Sequence, residues 1–115
     1  MPYFAMDDVP ASEALPGVLR RAVSLDRVML THFAFAPGSQ VPEHRHPEEQ
    51  ITIVTRGALR FTLEGVTRIL HAGEGVCVPA GTLHGAAALS EPAEAYDAWS
   101  PPREDYRTSS AATPR

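Results

Sequence analysis

Four side chains in two short segments have the types and spacing to hold a metal ion. His44 and His46 alternate with Arg45, so on an extended segment both imidazoles project to one side, within reach of one ion. Gln50 follows on the next strand and offers a neutral carbonyl oxygen, whereas a Glu there would add a negative charge and strengthen binding of a hard cation. The run Pro79-Ala80-Gly81-Thr82-Leu83-His84 supplies a turn and then a fourth ligand, a separation bridged naturally if the intervening hairpins wrap a barrel. Three imidazoles and one amide leave positions open, which distinguishes a substrate-binding metal from a closed structural one. The expected cofactor is one divalent transition ion; zinc, nickel, iron, manganese and copper all accept imidazole, and selection rests on geometry and supply. An isolated His-x-His also fits ordinary surface or hydrogen-bonded histidines.

A second group of chemical handles fills Tyr96-Asp97-Ala98-Trp99-Ser100-Pro101-Pro102-Arg103-Glu104-Asp105-Tyr106. Asp97 and Trp99 are two apart on the last expected strand and therefore share a face, while Pro101-Pro102 redirects the chain to place Arg103. Asp97 suits proton transfer, Trp99 stacking on a sugar or acyl face, and Arg103 a two-pronged grip on a carboxylate. Together they suggest a pocket for an acidic carbohydrate. The same residues also fit a structural role in which Trp99 closes the barrel end and Arg103 pairs with Glu104 or Asp105 at the surface.

The elements that must position these groups read as strands. Apolar residues recur with a period of two from Val18 to Ser100, punctuated by Gly, Pro and Asp, and no long segment shows helical spacing. Expected strands are Val18–Ser24, Val28–Ala36, Glu49–Arg56, Leu59–Leu63, Val66–Leu70, Gly75–Val78, Gly85–Leu89 and Ala93–Trp99, with turns at Asp26-Arg27, Gly57-Ala58, Glu64-Gly65 and Ala72-Gly73. This is an all-β chain whose hairpins close a barrel. Gln50, Thr52 and Val54 share one face of their strand and Ile51, Ile53 and Thr55 the other; since both faces carry apolar residues, the second needs a cover, most simply a second copy in a homodimer. Met1–Pro16 is irregular in pattern and is expected to lie along the barrel or reach a partner, and the tail from Thr108 to Arg115 has nothing large to bury and is expected to be disordered, leaving residues 1–107 as one domain.

Composition narrows the function classes. At 115 residues there is apolar surface for one core, and 43% hydrophobic with 21% charged residues argues against disorder throughout. A formal charge of −4 offers no basic field to nucleic acid. No apolar run is long enough to cross a bilayer and no leader is evident, so a cytoplasmic location is expected. The single Cys77, between Val76 and Val78, is expected to be a small buried residue. His32, mid-strand, and His71, at a turn, are expected to be structural.

Gly38, five residues, His44-x-His46, three residues, Gln50, six residues and Gly57 resemble the first motif of the cupin superfamily, with Gln50 where Glu is usual. Gly73, five residues, Pro79-x-Gly81, two residues and His84 resemble the second, with Ala88 in place of its final Asn. The resemblance implies a double-stranded β-helix, or jelly roll, with His44, His46, Gln50 and His84 as metal ligands facing its interior. Gln50 and the segment from Asp97 also resemble the pectin-degradation cupins of the KdgF family, in which an Asp-x-Phe-Ser-Pro-x-Arg-x-Asp pattern lines the site; Trp99 departs from its Phe. That family converts unsaturated monouronates into linear keto forms. The resemblance implies a metal-dependent isomerase-type enzyme in which Asp97 is the acid or base and Arg103 anchors the uronate carboxylate. A metal-dependent dioxygenase and a non-catalytic module that binds a small acid or sugar are the alternatives.

Overall fold

The computed structural model describes residues 2–107, so the tail expected to be disordered lies outside the described residues. The chain runs through β1 (Ser12–Leu15), β2 (Val18–Ser24), β3 (Met29–Phe35), β4 (Gln40–His44), β5 (Glu49–Arg56), β6 (Ala58–Leu63), β7 (Val66–His71), β8 (Gly75–Val78), β9 (His84–Ala88) and β10 (Ala93–Ser100), then a single helical turn, α1 (Glu104–Arg107). Two antiparallel sheets face each other in the orders β1-β2-β3-β10-β5-β8 and β4-β9-β6-β7. This is the expected all-β jelly roll.

Alternation explains which residues meet between the sheets. Along β5, Gln50, Thr52 and Val54 point inward and are buried, while Ile51 and Ile53 are exposed. The core joins Val18, Met29, Phe33, Phe35, Val54, Leu59, Phe61, Leu70, Val78 and Trp99, with Leu15 and Tyr106 packed against it. Gly57 has to be glycine on two counts. Its φ of +70° lies in the left-handed region, and a Cβ there would run into the Pro92 carbonyl oxygen, which crosses beneath the turn.

Three expectations are corrected. The N-terminal stretch lies along the barrel but is more regular than its sequence suggests: a 3-10 turn at Met6–Asp8 precedes β1, which pairs with β2. β4 and α1 also escaped the periodicity, being five and four residues long. Cys77 is exposed, because β8 turns Val76 and Val78 towards the core and Cys77 away from it. Among the described residues no helix is long and apolar enough to cross a membrane.

Candidate metal centre

β4 and β9 bring two of the histidines face to face, since His44 is the cross-strand partner of His84. That approach requires Gly85, where a Cβ would lie 2.9 Å from the Val41 carbonyl oxygen. The β4–β9 register slips between Val41 and His44, across Pro42, which has no N–H to offer a ladder. The freed Pro42 carbonyl accepts from Nδ1 of His44 at 2.9 Å. His46 and His84 are held in the same way, Nδ1 donating to the carbonyls of Glu48 at 3.0 Å and Thr82 at 2.8 Å. A carbonyl only accepts, so each Nδ1 carries a proton and, in the neutral ring, each Nε2 presents a lone pair. Burial pushes the pKa values of His46 and His84 down, which keeps these two rings neutral at pH 7.

The lone pairs converge. One nitrogen from each of His44, His46 and His84 lies within 4.8 Å of the others. His46 Nε2 stands 3.2 Å from His84 Nε2 and 3.0 Å from Gln50 Oε1. The amide of Gln50 is oriented by its nitrogen, which donates to Thr52 Oγ1 at 2.8 Å and so leaves the oxygen turned towards His46. With His46 and His84 neutral, acceptor faces acceptor at both short contacts, an arrangement that a cation between them relieves. Two nitrogens each about 2.1 Å from one zinc-sized ion stand roughly 3.0–3.4 Å apart, so the observed separation fits. The donor set, three imidazoles and an amide oxygen, suits a divalent transition ion.

The centre opens into a cavity of about 80 Å3, lined by His44, Gln50, His84, Asp97, Trp99 and Tyr106 among otherwise largely apolar walls. Asp97 is inside, as the alternation with Trp99 requires. Burial raises its carboxyl to about 7, against a smaller downward pull from a hydrogen bond with Thr52, and its Oδ1 is buried without a hydrogen-bond partner. Trp99 both packs and lines: its Nε1 donates to Thr31 Oγ1 at 2.9 Å while its ring lies 5.2 Å from that of His46. Arg103 is held from one side by Asp105, through bonds of 3.2 and 3.0 Å, and stands 3.8 Å from Glu48; its buried Nη1 has no hydrogen-bond partner. Of the two pairings considered from sequence, Asp105 takes Arg103 and Glu104 takes Arg107 instead.

Two polar residues of the cavity were given no role from the sequence. Thr52 shared a face with Gln50 in the alternation, a signal that was present but unused. Tyr106 sits on α1, which Arg107 pins to the β2–β3 turn through Ser24 Oγ and the carbonyls of Leu25 and Asp26. The guanidinium carbons of Arg20 and Arg103 lie 4.0 and 4.6 Å from the Tyr106 ring centre, and the ring meets Trp99 edge-on at 5.5 Å. His32 lies elsewhere, on the outer face of β3, hydrogen-bonded to Glu94 at 2.9 Å, and His71 ends β7 exposed.

The family model described as a cupin domain matches residues 31–99, a span holding all four candidate ligands, Asp97 and Trp99. The chain is a cupin. It is 31% identical over 106 residues to the pectin degradation protein KdgF of Dickeya dadantii, covering 90% of this chain and 96% of that one. The solved structure of KdgF from Halomonas sp. superposes with a TM-score of 0.85 at 31% identity, over 91% of this cupin and 97% of its counterpart. An RmlC-like cupin from Shewanella frigidimarina shares the fold, with a TM-score of 0.87 at 24% identity over 92% and 96% of the two chains.

Proposed function

We propose that this cupin is a metal-dependent isomerase-type enzyme that opens and ketonises an unsaturated uronate or a related carboxylated sugar. Its likeness to two proteins named KdgF, one of them a pectin degradation protein, supports the substrate class. The observation that carries the chemistry is Asp97, which lines the same cavity as His44, Gln50 and His84 with a buried carboxyl raised to about 7 and its Oδ1 without a hydrogen-bond partner.

Ring opening with ketonisation breaks the bond between the anomeric carbon and the ring oxygen as the anomeric hydroxyl gives up its proton and becomes a carbonyl; the ring oxygen, left as an enolate, becomes a ketone when the far carbon of the double bond takes up a proton, so one proton moves from oxygen to carbon with no overall change of oxidation state. A carboxyl poised near neutrality both takes and gives that proton, which is the requirement on a general acid–base. His44, His46, Gln50 and His84 would hold a divalent ion, which supplies Lewis acidity towards the substrate's oxygens. Trp99 gives the sugar ring a flat wall. Arg103, fixed from one side by Asp105, keeps Nη1 for the uronate carboxylate. The walls around the reacting groups are largely apolar.

Loss of the ultraviolet absorbance of the conjugated double bond follows the reaction. Asp97→Asn should lower turnover on the order of 10²–10⁴-fold with metal content intact. Arg103→Lys keeps charge but loses the planar fork, so it should chiefly raise KM. Wild-type turnover no faster than the spontaneous reaction would leave a binding role in place of an enzymatic one.

A further inference from the structure

Thr52 lies between the two halves of the site. It is 3% exposed, on the inner face of β5, two residues from Gln50 and directly across the strand pair from Asp97. Its hydroxyl has one proton to give. Gln50 Nε2 donates to Oγ1 at 2.8 Å, which leaves that proton for Asp97, and the direction agrees with the Thr52 bond favouring the Asp97 carboxylate. Asp97 Oδ1 has no hydrogen-bond partner, which leaves the other carboxyl oxygen for Thr52, its cross-strand neighbour.

We propose that Thr52 is a positioning residue that couples the metal centre to the acid–base group: one hydroxyl fixes the Gln50 amide with its oxygen towards His46, and the same hydroxyl fixes Asp97 through one carboxyl oxygen, leaving Oδ1 without a protein partner. The coupling depends on Gln at position 50. An ionised Glu there only accepts, and would draw the Thr52 proton to itself, leaving Asp97 without its donor. The amide accepts on one side and donates on the other, so the order His46, Gln50, Thr52, Asp97 runs with every donor matched once a cation meets the His46 lone pair. Other groups that bear on Asp97 are few: β3 and β5 present Thr31, Phe33, Gln50, Thr52 and Val54 on their inner faces, and the titratable groups sharing the cavity are His44, His84 and Tyr106. Arg103 lies beyond, stacked on Tyr106 and near Trp99.

The inference rests on the proposed function only for the role of Asp97, and its test needs no turnover. Thr52→Val keeps the shape and removes the hydroxyl; Thr52→Ser keeps the hydroxyl. Zinc affinity, measured with Zn2+ alone against a chromophoric chelator, should fall on the order of 10–100-fold in Thr52→Val, the usual cost of losing a group that orients a metal ligand. The carboxyl 13C resonance of Asp97 in metal-free protein, assigned by its loss in Asp97→Asn, should titrate at higher pH in Thr52→Val, because a bond favouring the carboxylate has gone. Thr52→Ser should restore both. Because one hydroxyl serves both ends, a Val variant in which only one quantity moves, or neither, overturns the coupling. Should Thr52→Val fail to fold, Thr52→Ala replaces it under the same criteria. Absence of uronate turnover in the wild type would sink the proposed function and leave these two readouts to decide the role of Thr52.

Discussion

Burying Asp97 as an acid makes the stability of the protein depend on pH in a direction opposite to that of a salt-bridged carboxylate. Its carboxyl goes from an ordinary 3.8 to about 7 on folding, chiefly by desolvation. Between those two values the unfolded chain has released the proton and the native chain has kept it, so stability falls as pH rises through the interval and levels off above it. At roughly 1.4 kcal/mol per unit, the shift of about three units is worth on the order of 4 kcal/mol. Asp97→Asn removes the ionisable group while keeping its shape. Asparagine should be near neutral relative to wild type at about pH 4, and more stable by up to about 4 kcal/mol above pH 7. Urea unfolding of both metal-free proteins across that range measures the difference, in which titrations common to both chains, including those of the histidines, cancel. A loaded divalent ion should shrink it, since a nearby cation favours the carboxylate. A difference that stays flat to within about 1 kcal/mol would refute the claim that Asp97 is buried and protonated.

The four-ligand reading of the centre predicts one equivalent of a divalent transition metal in the wild type and loss of it in the His44→Ala, His46→Ala double variant; equal content by elemental analysis would count against it. The exposed Ile51 and Ile53 face predicts a homodimer, which Ile51→Glu with Ile53→Lys should convert to a monomer by light scattering, and a monomeric wild type at micromolar concentration would remove the case. Tyr106 is half-buried at the rim of the cavity that holds Trp99, so Tyr106→Ala should raise acrylamide quenching of this single tryptophan severalfold; an unchanged quenching constant would mean that the ring does not guard the opening.

The grouping of the candidate ligands was legible because their signal is local. A His-x-His run, a turn built on Pro79 and Gly81, and the alternation along β5 each need only a few residues of sequence, and His44 does meet His84 across β4 and β9. The rim was not legible. β1 is four residues between Pro10 and Pro16, and α1 is one turn, both too short to show a period, yet Leu15 and Tyr106 come from them and line the cavity. What holds them is tertiary: β1 by pairing with β2, α1 by Arg107 reaching back to the β2–β3 turn. Nor could the sequence show that each imidazole of the cluster would find a backbone carbonyl for its Nδ1, as His44 does at Pro42, where the ladder slips.

Cys77 was misplaced for a reason that weighing magnitudes would have found. β8 has two phases. One buries Val76 and Val78 and exposes Cys77; the other buries the thiol and exposes two valines. A fully buried Val gains about 1.5–3 kcal/mol, so two of them outweigh one small side chain, and Val78 is indeed 2% exposed with Val76 partly covered. The tendency of free cysteine to be buried is an average over sites and yields to its neighbours here. The same phase determines what lies beside the thiol. Cross-strand register lines up Leu30, Ala98, Ile51 and Cys77 in one row across β3, β10, β5 and β8, on the outer face with Ile53. The row has no charge, so water faces an apolar strip wherever no second copy lies against it. Cys77 therefore sits at the end of the very surface whose cover was inferred from Ile51 and Ile53, and a thiol reagent samples it without a mutation. If that surface joins two copies, labelling of Cys77 should slow as protein concentration rises and return to the monomer rate in Ile51→Glu. Labelling indifferent to both would place the interface elsewhere.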